Sequence, residues 1–160
     1  MKPDFHKRMS IAFNSKKPPT MTLRSGNNID NRRSSLPFNP EEDNDSGSYL
    51  NKYACGLTYL DFSSWEYYAP IFMKHILITY PEDYDVASES FLKTIEARPY
   101  NINRINMLSM LQKKTILIFL HLLLRLKHSY YVVDLIDDWK DMARCPSDLK
   151  GTGENYGRHK

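Results

Sequence analysis

The chain has 160 residues and a formal net charge of +3 at pH 7, from 22 Lys and Arg against 19 Asp and Glu. That length holds one modest domain with extensions rather than several domains. The two cysteines, Cys55 and Cys145, are far apart, and no Cys-x-x-Cys or Cys/His group has zinc spacing, which excludes a disulfide framework and a zinc finger.

The charge is unevenly spread. Residues 1–40 carry eight bases against two acids, Asp4 and Asp30; Glu41, Glu42, Asp43 and Asp45 then reverse the sign. Residues 51–146 hold eleven of each, so the basic character belongs to the N-terminal segment. Residues 1–48 contain Pro3, Pro18, Pro19, Pro37 and Pro40, with many Ser and Asn and no sustained apolar stripe. Such a stretch buries too little apolar surface to offset its chain entropy, so 1–48 is predicted to be a disordered basic arm. The segment Met1–Ser10 has no apolar run of the leader type.

The arm carries two similar words, Lys7-Arg8-Met9-Ser10-Ile11 and Arg32-Arg33-Ser34-Ser35-Leu36. Each has two bases, a spacer, a serine and an aliphatic residue. They resemble substrate sites of basophilic kinases of the protein kinase A and Aurora type, which makes Ser10 and Ser35 the candidate phosphorylation sites and such a kinase a candidate partner. A phosphate there would remove up to about two units of positive charge. Ser10-Ile11-Ala12-Phe13 resembles a loosened docking word for protein phosphatase 1, and Arg33-Ser34-Ser35-Leu36 contains a minimal destruction-box word. Lys7-Arg8 and Lys16-Lys17 resemble two halves of a nuclear import signal at short spacing.

From Tyr49 onward, aromatic and aliphatic residues recur at helical spacing. Ser63 with Glu66 fits a capping box, with Phe62 and Tyr67 at staple positions. Pro70 either kinks this helix, which runs to Thr79, or opens a second one. Asp85 is placed to cap a helix over 86–97, with Phe91, Leu92 and Ile95 inward and Pro99 as its stop. The next helix is predicted over 103–127, with the stripe Ile105, Leu108, Leu111, Thr115, Ile118, Leu122 and Leu126. Its stretch Ile116–Leu124 is apolar nearly all round and suits a buried central helix. His121 interrupts that run, and its length falls short of the roughly 20 apolar residues a membrane span needs. Ser129 would cap the last helix, 130–143, with Val132, Leu135, Ile136 and Trp139 on one face and Asp134, Asp137, Asp138 and Asp141 on the other. Residues 53–60 fit either a short helix or an extended segment. The predicted architecture is all-α, a small four- to five-helix bundle over 49–146, with a flexible tail over 147–160.

Candidate sites lie on this bundle. Tyr59, Phe62, Trp65, Tyr67, Tyr68 and Phe72 are denser than one amphipathic face can hide, so Trp65, Tyr67 and Tyr68 are candidates for partner binding. The acidic face of Asp134, Asp137, Asp138 and Asp141 is a second candidate, for a basic partner. Asp137-Asp138-Trp139-Lys140-Asp141 resembles the magnesium-diphosphate motif of isoprenoid synthases, but it lacks a facing acidic motif and reads as a solvated helix flank. His75 and His121 read as core histidines.

No nucleophile–base set and no phosphate-cradling glycine loop stands out, so no catalytic residue, metal or cofactor is expected. The expected function is that of a non-enzymatic adaptor or regulatory subunit of a larger nuclear complex, with the cytoplasm as second location. It docks through the helical domain and is tuned by arm phosphorylation, in a cell-cycle or chromosome setting that the kinase words suggest. No membrane partner is expected. The alternatives are a chromatin or nucleic-acid binder acting through the basic arm, weakened by the neutral domain, and a magnesium-dependent enzyme at the acidic motif.

Overall fold

The structure is a computed structural model that describes residues 3–14, 18–80 and 85–144. Its described residues form eight α-helices and one 3-10 segment, with no strand. The helices are α1 (Pro3–Ala12), α2 (Leu23–Asp30), α3 (Gly47–Tyr53), α4 (Phe62–Thr79), α5 (Val86–Thr94), α6 (Pro99–Met107), α7 (Met110–Leu126) and α8 (Tyr130–Met142). The 3-10 segment, Ala54–Tyr59, follows α3 directly. The all-α class stands, with eight helices in place of the four or five expected. The predicted tail, 147–160, lies outside the described residues.

The largest difference lies at the N-terminus. The segment expected to be a disordered arm holds α1 and α2, and Phe5, Met9, Ala12, Phe13 and Leu23 belong to the hydrophobic core. Phe5, Met9 and Phe13 recur every four residues, so α1 does present an apolar stripe, and that face packs on α7. The stripe is three residues long and interleaved with His6, Lys7, Arg8 and Ser10, and its composition masks its period.

Helix α2 buries only Leu23, Ser25 and Gly26, yet it meets the 3-10 segment closely. A Cβ on Gly26 would lie 2.2 Å from the Gly56 carbonyl oxygen, and one on Gly56 would lie 2.1 Å from the Leu23 carbonyl oxygen. The two backbones touch, and glycine is the residue that lets them. The Thr22 hydroxyl caps α2 by accepting from the Ser25 amide at 3.1 Å. The chain before it is tied to α4: the Met21 amide donates to Ser64 Oγ at 2.9 Å and Thr20 Oγ1 to Asp61 Oδ2 at 2.9 Å.

Asp61, not Ser63, caps α4, because its carboxylate reaches the Ser64 amide at 2.9 Å. Glu66 accepts a hydrogen bond from Gln112 instead of closing a capping box. The helix runs unbroken through Pro70. Asp85 caps α5 as expected, but α5 ends at Thr94. Pro99 opens α6 at its first turn, where a missing amide costs nothing. The single long helix expected over 103–127 is two, because Ser109 and Gln112 form a reciprocal capping box that starts α7 afresh. Helix α8 matches its expected inner face, with Val132, Leu135, Ile136 and Trp139 buried.

Phe91 of α5 sits at the centre of the core. It stacks on Trp65 at 6.0 Å and on Phe72 at 5.8 Å, and meets Phe119 of α7 edge-on at 5.8 Å. Both buried indoles are satisfied: Trp65 Nε1 donates to Thr94 Oγ1 at 3.0 Å and Trp139 Nε1 to the Ile95 carbonyl at 2.8 Å.

Candidate functional site

Three polar constellations stand outside this core. The first is built around Arg24 of α2 and Asp43 of the loop before α3. Arg24 grips Asp43 with two parallel bonds, Nε to Oδ1 and Nη2 to Oδ2, both 3.1 Å. Tyr49 OH donates to Asp43 Oδ1 at 2.8 Å and the Asn39 amide to Oδ2 at 2.7 Å. Arg24 also pairs with Glu42 at 2.7 Å and donates to the Pro37 carbonyl at 3.2 Å. The Asp43 side chain is wholly buried. Burial raises its pKa, but the bonds from Arg24, Asn39 and Tyr49 outweigh that and hold it below the usual carboxylate range. The neighbouring Tyr68 hydroxyl is pushed up to about 12, chiefly by burial.

Beside this network lies a cavity of about 280 Å³, lined by residues that include Phe38, Asp43, Asp45, Tyr67, Tyr68 and Ile71. Tyr67 and Ile71 stand one turn apart on α4, and the Tyr67 and Tyr68 rings meet edge-on at 5.1 Å. Asp45 is exposed and has no hydrogen bond or ion pair among the described residues.

The second constellation joins α3, α4 and α5. His75 Nε2 and Asp85 Oδ2 lie 2.7 Å apart, and the same oxygen accepts from Asn51 Nδ2 at 2.9 Å. The other carboxylate oxygen of Asp85 caps α5 through the Ser88 amide and hydroxyl, at 2.8 and 2.6 Å. Burial raises Asp85, but the bonds from Ser88, Asn51 and His75 prevail and hold it at about 2. A His–Asp pair could orient a general base. Here the carboxylate is spent on a helix cap, and among the described residues no hydroxyl or thiol is hydrogen-bonded to the ring of His75.

The third is the outer face of α8. Asp134, Asp137, Asp138 and Asp141 are all exposed. Asp137 pairs with Lys140 at 2.7 Å and Asp141 with Arg144, just past the helix end, at 3.0 Å, and both pairs are exposed. Asp134 and Asp138 have no such partner among the described residues, and they line a shallow cavity of about 250 Å³ with Glu96, Arg98 and Tyr131. Tyr131 OH donates to Glu96. Tyr130, at the start of the helix, is 82% exposed. Among the described residues no three His, Cys, Asp or Glu are grouped to hold a metal ion, and the motif reminiscent of isoprenoid synthases has two of its three acids turned to basic neighbours.

The structure sorts the expected partner-binding residues. Trp65 is fully buried and stacked on Phe91, and Tyr68 is 2% exposed, so neither can serve as a surface anchor. Tyr67 is half-buried and reaches the cavity. The four α8 acids share one exposed face, as their spacing required. Ser10 is exposed but helical, its hydroxyl bonded to the Lys7 carbonyl at 2.8 Å. Ser35 is exposed in the loop after α2, two residues beyond Arg33. Arg24, Asp43, Tyr49 and Phe38 escaped sequence reasoning: Arg24 and Asp43 are 19 residues apart, inside a segment read as unstructured.

A protein-family model matches residues 1–142, and its description is a family of unknown function (DUF6714). No curated protein and no solved structure matches the chain.

Proposed function

The chain belongs to the DUF6714 family, and from that premise we propose that it is a non-enzymatic adaptor or regulatory subunit of a larger nuclear complex, docking a basic partner segment on α8. The observation that carries the reading is the outer face of that helix, where Asp134, Asp137, Asp138 and Asp141 are exposed beside the exposed ring of Tyr130. The two ion pairs of this face are exposed and three residues apart, so they exchange readily for a partner's bases. A ring and a row of carboxylates suit a Lys- and Arg-rich segment, steered by charge and anchored by Tyr130.

Regulation is assigned to phosphorylation of the N-terminal words. Ser35 fits a kinase cleft better than Ser10, since a kinase reads extended chain and Ser10 lies within α1. The nuclear location and a cell-cycle setting rest on the basic words themselves.

The test is affinity purification from nuclear extract with the wild type and with Asp134, Asp137, Asp138 and Asp141 all changed to Asn. The wild type should enrich proteins bearing basic segments, released by salt, and the neutralised variant should lose them roughly tenfold. Equal recovery by the folded, neutralised variant would refute the assignment.

A further inference from the structure

We propose that the cavity between α4 and the loop before α3 is a binding site for an alkylammonium group, the side chain of a lysine or methyl-lysine above all. It is formed by elements other than α8 and stands independently of the docking face described above.

The lining defines the ligand's charge. Phe38 and Tyr67 supply two accessible aromatic rings and Asp45 an exposed carboxylate, over a floor of buried Tyr68 and Asp43, and no basic side chain lines the cavity. Ring faces and carboxylates both attract cations and repel anions. The two carboxylates differ in role. Asp43 already accepts four hydrogen bonds and is neutralised by Arg24, so it shapes the wall. Asp45 has no partner among the described residues and is the group left to meet an incoming charge. The Tyr67 hydroxyl likewise has no hydrogen bond among the described residues, and its ring is fixed edge-on against Tyr68.

The lining also defines the ligand's shape. At about 280 Å³ the cavity falls just under the ~300–1,000 Å³ of drug-sized pockets, which suits one side chain or small amine. Phe38 is 41% exposed and Ile71 half-buried, so the walls offer apolar contact to a methylene stem as well as rings to a charged head. A divalent metal ion would need six or more oxygen ligands, and Asp45 is the one uncommitted carboxylate here. With no partner among the described residues, Asp45 has both oxygens open to a guanidinium fork as to an ammonium, so arginine is the comparison that tests the choice of an alkylammonium.

The test is a heteronuclear NMR titration of the full chain with N-acetyl-lysine methylamide, its trimethyl-lysine counterpart, tetramethylammonium, N-acetyl-arginine methylamide and the neutral N-acetyl-norleucine methylamide. Both lysine compounds should shift amides of residues 38–45 and 67–71 in a saturable way at millimolar concentration, and norleucine should not. Tetramethylammonium binding as well as trimethyl-lysine would identify a free amine as the source, and weaker binding would identify a peptide side chain; both support the site. Asp45→Asn removes an exposed group bonded to nothing among the described residues, so it should leave the spectrum otherwise unchanged and weaken lysine binding about three- to fivefold, the upper scale of an exposed ion pair. Norleucine binding equal to lysine, arginine binding as tight as lysine, an unaltered affinity in Asp45→Asn, or no localised shift would each overturn the proposal.

Discussion

Asp43 shows how one side chain can order a polar segment. Its carboxylate gathers Arg24 from α2, Asn39 from the loop and Tyr49 from α3, and so closes a stretch whose composition favours disorder. Changing Asp43→Asn should destabilise the fold by roughly 3 kcal/mol, the low end for breaking a buried ion pair, because Arg24 keeps Glu42 and the Pro37 carbonyl. The pH dependence has a definite sign. The folded pKa of Asp43 lies below its unfolded value, so its contribution is whole above about pH 4 and fades as pH falls through the folded pKa. The gap in urea midpoint between wild type and variant should therefore be widest near neutrality and narrow towards low pH. A gap that stayed constant would assign the loss to packing rather than charge.

The elements that sequence reasoning placed well are those whose own residues carry a long period or a strong cap. Helix α8 shows its buried stripe over about two turns, and the Asp85 cap of α5 is local chemistry. The elements it misplaced depend on partners distant in the chain. The apolar spacing Ile105, Leu108, Leu111 runs on through the α6–α7 break although Leu111 is exposed, so periodicity joined two helices that the Ser109–Gln112 capping box separates. Helix α2 has almost no apolar face, and what seats it is the absence of side chains at Gly26 and Gly56, a contact that no local pattern announces. The candidate site was legible in the same measure: the α8 acids were visible from spacing, whereas the cavity assembles Phe38, Asp45 and Tyr67 from separate segments. The glycine seam gives the element-scale test. Gly26→Ala would drive a methyl into backbone rather than into a yielding side chain, and should cost at least the roughly 1–3 kcal/mol of overpacking, with loss of amide protection across α2. A melting temperature within error of wild type would mean that α2 is not seated on the 3-10 segment.

At the scale of the whole molecule, the bases of the N-terminal segment are mounted on a folded body. Helix α1 carries Lys7 and Arg8, packs on α7 with its Lys113, Lys114 and Arg125, and lies opposite in charge to the acids of α8. Met9 is 4% exposed within this packing. Met9→Ala should lower stability by about 2–3 kcal/mol, as for other buried large-to-small changes, with an unchanged denaturant slope. No shift in the midpoint would return α1 to the status of a loose arm.

The pairing of α1 with α7 also orders events in time. Phe5, Met9 and Phe13 emerge from the ribosome about a hundred residues ahead of the helix that covers them, a wait on the order of 5–20 s at ordinary elongation rates. Throughout that interval α1 displays a greasy face with basic flanks, the kind of surface that holdase chaperones grasp. A delay of this length favours chaperone capture of α1 during synthesis, with release once α7 has formed the seat that covers it.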